Sequence, residues 1–106
     1  MQRIEIGLEI NSYDKTLTGS AFGEIDRKKY KFDTLDKDEN NYTIKVPKET
    51  KSIAGSYFMA CFGKSLSNLG LKRFKEKYEF SCTNRIKTDI NSAIVSLGKF
   101  FIKDED

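Results

Sequence analysis

The chain has 106 residues, and its 19 basic and 16 acidic side chains leave a formal net charge of +3, which does not by itself indicate a nucleic-acid-binding protein. It contains no histidine, which removes the commonest general base and the commonest metal ligand. No apolar run approaches the length of a membrane span, so we expect a cytoplasmic protein without a membrane partner. The length fits one domain, and because histidine is absent we expect that the protein is not an enzyme. Eight phenylalanines and five tyrosines supply large apolar side chains for the core.

The cysteines and glycines carry no recognisable cofactor motif. Cys61 and Cys82 have no metal-binding spacing, and we expect both to be buried free thiols. The glycines match neither a dinucleotide fingerprint nor a phosphate-binding loop. We therefore expect neither a metal nor a cofactor.

The first half of the chain predicts two strands and one helix. Alternating apolar residues predict a half-buried strand over residues 4–10, and Thr16 and Leu17 predict a short second strand. Thr18 or Ser20 is expected to cap the helix, in which Gly23 is a weak point. The apolar positions of that helix are Ala21, Phe22, Ile25, Tyr30, Phe32 and Leu35. Residues 36–41 read as a solvated turn.

The second half predicts two strands and two helices. Alternation over residues 42–46 and 78–82 predicts strands, the first of which ends at Pro47. Between them a helix is predicted to end at Gly70, with a basic connector after it. A last helix, capped by Thr83 or Asn84, follows, and the tail at residues 103–106 is expected to fray. The apolar face of the middle helix is Phe58, Cys61, Phe62, Ser65, Leu66 and Leu69, and that of the last is Ile86, Ile90, Ala93, Ile94, Leu97 and Phe101.

Strands and helices that alternate in this way favour a single α/β domain with right-handed crossovers. Within it, residues 16–101 resemble the STAS-like domains, which are related to sulfate transporters and anti-sigma-factor antagonists. The resemblance is carried by residues 17–22, the strand at 42–46, the segment 52–58 that leads into 61–64, and the final strand and helix. It implies a mixed sheet of four or five strands, with three main helices packed mostly on one face.

The same resemblance implies a bacterial or phage regulatory module that binds a protein, with a kinase-like regulator as one candidate. In the antagonist branch, a serine at the start of the second helix is phosphorylated by the kinase that is also the partner. Here Ala54 precedes Gly55 where that motif has its phosphoacceptor, and a shifted register puts Ser56 there instead. The implied surface comprises Ser52, Gly55, Ser56, Tyr57 and Met59, beside the turn at residues 17–20. Ser52 and Ser56 also fit a simpler interpretation as helix caps.

Two basic clusters leave other functions open. The first comprises Arg27, Lys28, Lys29 and Lys31, and the second, in the basic connector, comprises Lys72, Arg73, Lys75 and Lys77. Both are interleaved with aromatic residues, a pattern that suits nucleic acid or an acidic protein, although solvated helix faces look the same. A sensor of small anionic ligands at the turn of Gly55 and Ser56, or a mobile-element inhibitor of a host protein, also remains open.

Overall fold

The computed structural model describes residues 3–10 and 13–101, with side chains described as far as residue 97. The predicted Phe101 side chain and the predicted frayed tail at 103–106 therefore lie outside the described residues. In chain order the elements are β1 Arg3–Gly7, β2 Thr16–Leu17, α1 Ser20–Lys29, α2 Phe32–Leu35, β3 Asn41–Lys45, β4 Ser52–Ile53, α3 Gly55–Lys77, β5 Tyr78–Ser81 and α4 Asn84–Phe101.

The strands form two small parallel sheets. β1, β3 and β5 make a three-stranded sheet with β3 in the centre, and β2 pairs with β4. The prediction of one mixed sheet of four or five strands is therefore wrong. The two-residue strands β2 and β4 pair with each other and do not extend the larger sheet, and all of these pairings are parallel.

The larger sheet has one buried face and one polar face. Its register aligns Ile6 with Ile44 and Phe80 on the buried face, and Glu5 with Thr43 and Glu79 on the other. The polar side chains match the solvent that this second face meets. The helices supply the apolar partners of the buried face.

Aromatic rings of α3 fill the space above the sheet. Phe62 lies 5.2 Å from Phe58 and 5.3 Å from Phe80 between ring centroids, and Phe74 and Tyr78 join the same cluster. The apolar face predicted for this helix is confirmed, since its first five positions are buried and Leu69 is partly buried. The described apolar positions of α4 are likewise buried, which confirms the predicted last helix.

The predicted apolar face is wrong within α1, although Phe32 is buried and Tyr30 and Leu35 are partly buried beyond the end of that helix. Phe22 and Ile25 are 59% and 57% exposed, whereas Gly23 and Arg27 are buried. A Cβ on Gly23 would lie 2.5 Å from the carbonyl oxygen of Tyr57, so the missing side chain is what lets α1 approach α3. The glycine predicted to weaken the helix therefore forms its packing contact.

The predicted helix boundaries also change. α1 begins after Gly19, whose φ of 91° replaces the expected cap by Thr18 or Ser20, and Lys31 at φ 59° separates α1 from α2. Gly70 has the expected positive φ, but the helix resumes and runs to Lys77. The predicted cap of α4 is confirmed, because the Ile86 N–H donates to Thr83 Oγ1 at 3.4 Å.

Candidate functional site

The predicted docking segment, residues 52–59, passes from β4 into α3. The pairing of β4 with β2 places Leu17 opposite Ile53. The N–H of Ala54 then donates to the carbonyl of Leu17 at 2.9 Å, immediately before the helix begins. This pairing brings the turn at residues 17–20 beside the start of α3, as the sequence predicts.

α3 begins without a side-chain cap. Its N-cap residue is Ala54, which has an extended backbone and no side-chain oxygen, so the interpretation of Ser52 and Ser56 as caps is wrong. Ser52 is partly buried in β4, and Ser56 is exposed in the first turn of α3. That turn contains no acidic residue to oppose the partial positive charge of the helix start.

A groove of about 330 Å³ separates the start of α3 from α4. Met59 in its wall is 49% exposed, and a Cβ on Gly55 would meet no heavy atom within 4 Å. Asp89 adds a carboxylate, whose Oδ2 accepts a hydrogen bond from the Ile53 N–H at 3.1 Å. The remaining lining residues belong to α4 and are small or apolar: Ser92, Ala93, Ser96 and Leu97. The structure thus brings Gly55 and Met59 together on one open groove beside Ser56.

Tyr57, also predicted as a docking residue, faces the interior. It is buried, and its hydroxyl donates to Asp26 Oδ2 on α1 at 2.6 Å. Burial is the largest cause of a raised pKa for this phenol, followed by the nearby Cys61 thiol and the Asp26 carboxylate. Together with the close contact at Gly23, the hydrogen bond fixes the start of α3 against α1. Tyr57 therefore positions the groove without presenting its ring to a partner.

The predicted anion-contacting residues are only partly brought to the surface. Lys28, Lys31 and Lys72 are exposed. Lys29 is exposed as well, but its ammonium pairs with the carboxylate of Glu9. Arg73 is half-buried and donates to Asn41 Oδ1 at 3.3 Å, and Arg27 is buried. The exposed basic side chains are therefore fewer than the sequence predicts.

Arg27 forms a buried network that joins α1 to α3 and β5. Its guanidinium donates to Asp36 Oδ2 and to Ser65 Oγ, each at 2.9 Å. The Tyr78 hydroxyl donates to Asp36 Oδ1 at 2.6 Å, and burial together with this bond raises the pKa of Tyr78. The solvated turn predicted at residues 36–41 is therefore wrong at Asp36, which is buried because these donors satisfy its oxygens. Ser65, a polar residue on the apolar face of α3, is the feature of the sequence that indicates this buried network.

A second buried cation, Lys77, holds the next part of the same turn. Its Nζ donates to the carbonyl oxygens of Asp38 at 2.8 Å and Asn40 at 2.7 Å, and to Asp38 Oδ1 at 2.9 Å. Burial opposes ionisation of Asp38, but hydrogen bonds from Tyr42 and Lys77 outweigh it and hold the pKa of that carboxyl below its ordinary value. The prediction that Lys77 belongs to an exposed basic connector is wrong, because its ammonium binds the chain itself.

The two thiols differ in exposure and are both free. Cys61 is fully buried, and burial raises its pKa to about 12. Cys82 is only half-buried, and burial raises its pKa as well. A nucleophilic cysteine needs a lowered pKa, so neither environment activates its thiol.

The structure describes residues 3–10 and 13–101, and these offer neither a metal site nor a membrane-spanning helix. Within these ranges no cluster of three or more cysteine, aspartate or glutamate side chains is arranged to hold a metal ion. The helices described there are too short or too polar to cross a membrane.

Comparisons of the chain with protein-family models, with curated proteins and with solved structures found no match.

Proposed function

We propose that this chain is a non-catalytic bacterial or phage regulatory module of the STAS-like type that binds a partner protein at the start of α3. We name the surface the α3 groove: Gly55 and Met59 line it on one side and Asp89 and Ser92 on the other, and Ser56 is the exposed residue that follows Gly55 in the first turn of α3. One observation supports this proposal most strongly. Ser56 is exposed in the uncapped first turn of α3 and follows Gly55, which lines an open groove together with the half-exposed Met59.

The composition of the groove suits a protein side chain. Methionine is enriched at protein interfaces, because its flexible thioether adapts to different partners. Met59 and Leu97 offer apolar contact, and Ser92 and Ser96 offer hydrogen-bonding groups along the α4 wall. A groove of about 330 Å³ is at the lower end of the range for ligand pockets, which favours a single inserted side chain.

Phosphate on Ser56 supplies a gate for this surface. A phosphoryl group adds about 1.5 to 2 negative charges, and the start of a helix tolerates them. The carboxylate of Asp89 already lies in the groove wall, so the phosphate adds to a negative charge that is present at this surface. An acidic side chain of a partner is then repelled, and an apolar one is disfavoured because its insertion would desolvate the phosphate, without any change of fold. Ser56 is the better acceptor, because Ser52 is partly buried in β4.

The chemistry of the side chains supports binding in preference to catalysis. The chain has no histidine, and the pKa of each thiol is raised. The buried charged groups Arg27 and Asp36 form an ion pair with each other inside the core.

The test is capture of partners from a bacterial lysate at low and high salt, followed by direct binding of the purified prey. We expect a salt-resistant protein whose binding is lost with Ser56→Asp and Met59→Lys. The matched controls are Ser52→Ala and Lys72→Gln, which should retain it. Mass spectrometry of the bait then locates any phosphate.

Two results would overturn this proposal. The first is unchanged partner binding in both Ser56→Asp and Ser52→Asp. The second is capture of salt-labile nucleic acid in place of protein, with loss in Lys28→Gln and Lys72→Gln, since phosphate contacts weaken steeply with salt. That second result would indicate that the chain binds nucleic acid through its exposed basic side chains.

A further inference from the structure

An open cavity lies away from the α3 groove, at the carboxyl ends of the three parallel strands. Its volume is about 600 Å³. Each strand of the larger sheet contributes the residues with which it ends or that follow it: Gly7 and Leu8, Lys45 and Lys48, and Cys82 and Thr83. Open α/β sheets bind ligands outside the carboxyl ends of their strands where the strand order reverses. The order β1-β3-β5 has no such reversal, so the lining residues alone favour a ligand here.

The floor of this cavity is paired backbone. The N–H of Leu8 donates to the carbonyl of Lys45, and the N–H of Val46 donates to the carbonyl of Ser81, each at 2.9 Å. Pairing therefore continues one residue beyond β1 and one residue beyond β3, up to the rim of the cavity. Such a floor keeps the lining side chains in fixed positions without a ligand.

The lining combines an apolar base with cationic side chains. Leu8 and Val46 are buried core residues that the cavity also reaches. Lys45 and Lys48 are exposed at the rim, and the nearest carboxylate to Lys45 is that of Glu5, 3.7 Å away and itself exposed. So loose a surface pair leaves most of the charge of the lysine available to a ligand.

Two further positive contributions lie on the β5 side of the cavity. The charge of Lys87 acts on the thiol of Cys82, which lines the cavity. α4 begins at Asn84, immediately after the lining residue Thr83, so the partial positive charge of its N-terminus faces the same rim. Among the residues that the structure describes, none that lines the cavity is acidic.

We propose that this cavity binds a small molecule that has a compact apolar body and one anionic group. The body rests on Leu8, Val46 and Pro47, and the anionic group lies between Lys45 and Lys48. The cavity shares no lining residue with the α3 groove, so this inference stands independently of the proposed partner switch.

Phenyl phosphate is a suitable probe, because inorganic phosphate and phenol are its two halves. We expect saturable changes in the amide NMR signals of Gly7, Val46 and Thr83 with phenyl phosphate, and weaker binding of either half alone. Lys48→Gln should raise the Kd about fivefold, the effect of losing one charge contact in water. Lys72→Gln is the matched control, because Lys72 lies on the part of α3 that leads to the opposite end of the sheet.

Gly7→Val provides a second variant that blocks the cavity itself. A Cβ at Gly7 would meet no heavy atom within 4 Å, so valine should fold in β1 and occupy the rim. We expect it to abolish the signal changes. The proposal is overturned if phenyl phosphate causes no saturable change at these amides, or if Lys48→Gln binds it as tightly as Lys72→Gln does. If inorganic phosphate binds as tightly as phenyl phosphate, the proposed contact of an apolar body with the cavity is wrong.

Discussion

Replacing Gly23 by alanine should force α1 away from α3. The added Cβ would lie 2.5 Å from the carbonyl oxygen of Tyr57, 2.6 Å from the Cβ of Ala60 and 3.1 Å from the backbone nitrogen of Cys61. Backbone atoms and a Cβ cannot rotate away, so relief requires one helix to shift. The shift also strains the hydrogen bond from Tyr57 to Asp26 on α1.

The expected net effect is a loss of stability of about 1–3 kcal/mol. Overpacking of a core typically costs about 1–3 kcal/mol, and a weakened buried hydrogen bond adds about 1 kcal/mol. Alanine returns about 1 kcal/mol through its higher helix propensity, which offsets part of that cost.

Gly63→Ala is the matched control, because Gly63 is also a buried helical glycine. Its added Cβ would lie 3.5 Å from Met59 Cγ, an ordinary contact with a flexible side chain. Only the propensity gain then remains, so this variant should be more stable than the wild type by about 0.5–1 kcal/mol.

Urea unfolding followed by far-UV circular dichroism measures both variants. With a slope of about 1–3 kcal/mol per molar urea, the two midpoints should differ by about 0.5 M or more. A midpoint for Gly23→Ala equal to or above that of Gly63→Ala would refute the reasoning. Adding Ala60→Gly to Gly23→Ala should recover only part of the loss, because the contact with the carbonyl of Tyr57 remains.

Three further predictions concern the buried polar groups. Arg27→Met should destabilise the fold by about 3–5 kcal/mol in urea unfolding, because it leaves the buried carboxylate of Asp36 without its cation, and a loss below about 1 kcal/mol would contradict this. Asp38, whose folded pKa lies below its ordinary value of 3.8, stabilises the fold above that value and loses the effect as pH falls through the lowered pKa. Asp38→Asn should therefore lose less stability than the wild type on acidification from about pH 6 to 2, and parallel curves would exclude this contribution. A thiol reagent should modify Cys82 but not the fully buried Cys61 in the native state, and equal rates by mass spectrometry would contradict the described burial.

The elements that the sequence predicts well are those whose pattern is local and whose packing is apolar. Alternation in β3 and β5 and the apolar face of α4 are examples, because large apolar side chains at a fixed period face the core. The same rule fails for α1, where contact is made by Gly23 and the apolar Phe22 is left in solvent. Two helices can approach closely only where a small residue lies between them. A search for apolar residues at helical spacing counts a glycine at that position against the helix.

The burial of Arg27 and Lys77 could not be predicted from the local sequence pattern. Arg27 meets Ser65 across 38 positions, and Lys77 meets Asp38 across 39. A charged residue reads as exposed until its partner is known, and the partner is set by the tertiary fold.

Some features of the candidate surfaces can also be predicted from local sequence, and others depend on the tertiary fold. The location of residues 52–59 at a helix start follows from local pattern, whereas the burial of Tyr57 depends on Asp26 of a different helix. The cavity at the carboxyl ends of the strands joins three loops that are far apart in sequence. Its residues become neighbours only through the parallel pairing of β1, β3 and β5.

The turn between α2 and β3 has a practical consequence for protein engineering. It is short and rich in charge, which is the composition usually chosen for epitope tags, fusions and new termini. Yet Arg27 and Lys77 both reach into it from the interior, and its backbone carbonyls bind one of them. An insertion at this turn would separate both cations from their acceptors at the same time. Tags for the binding experiments therefore belong outside residues 36–40.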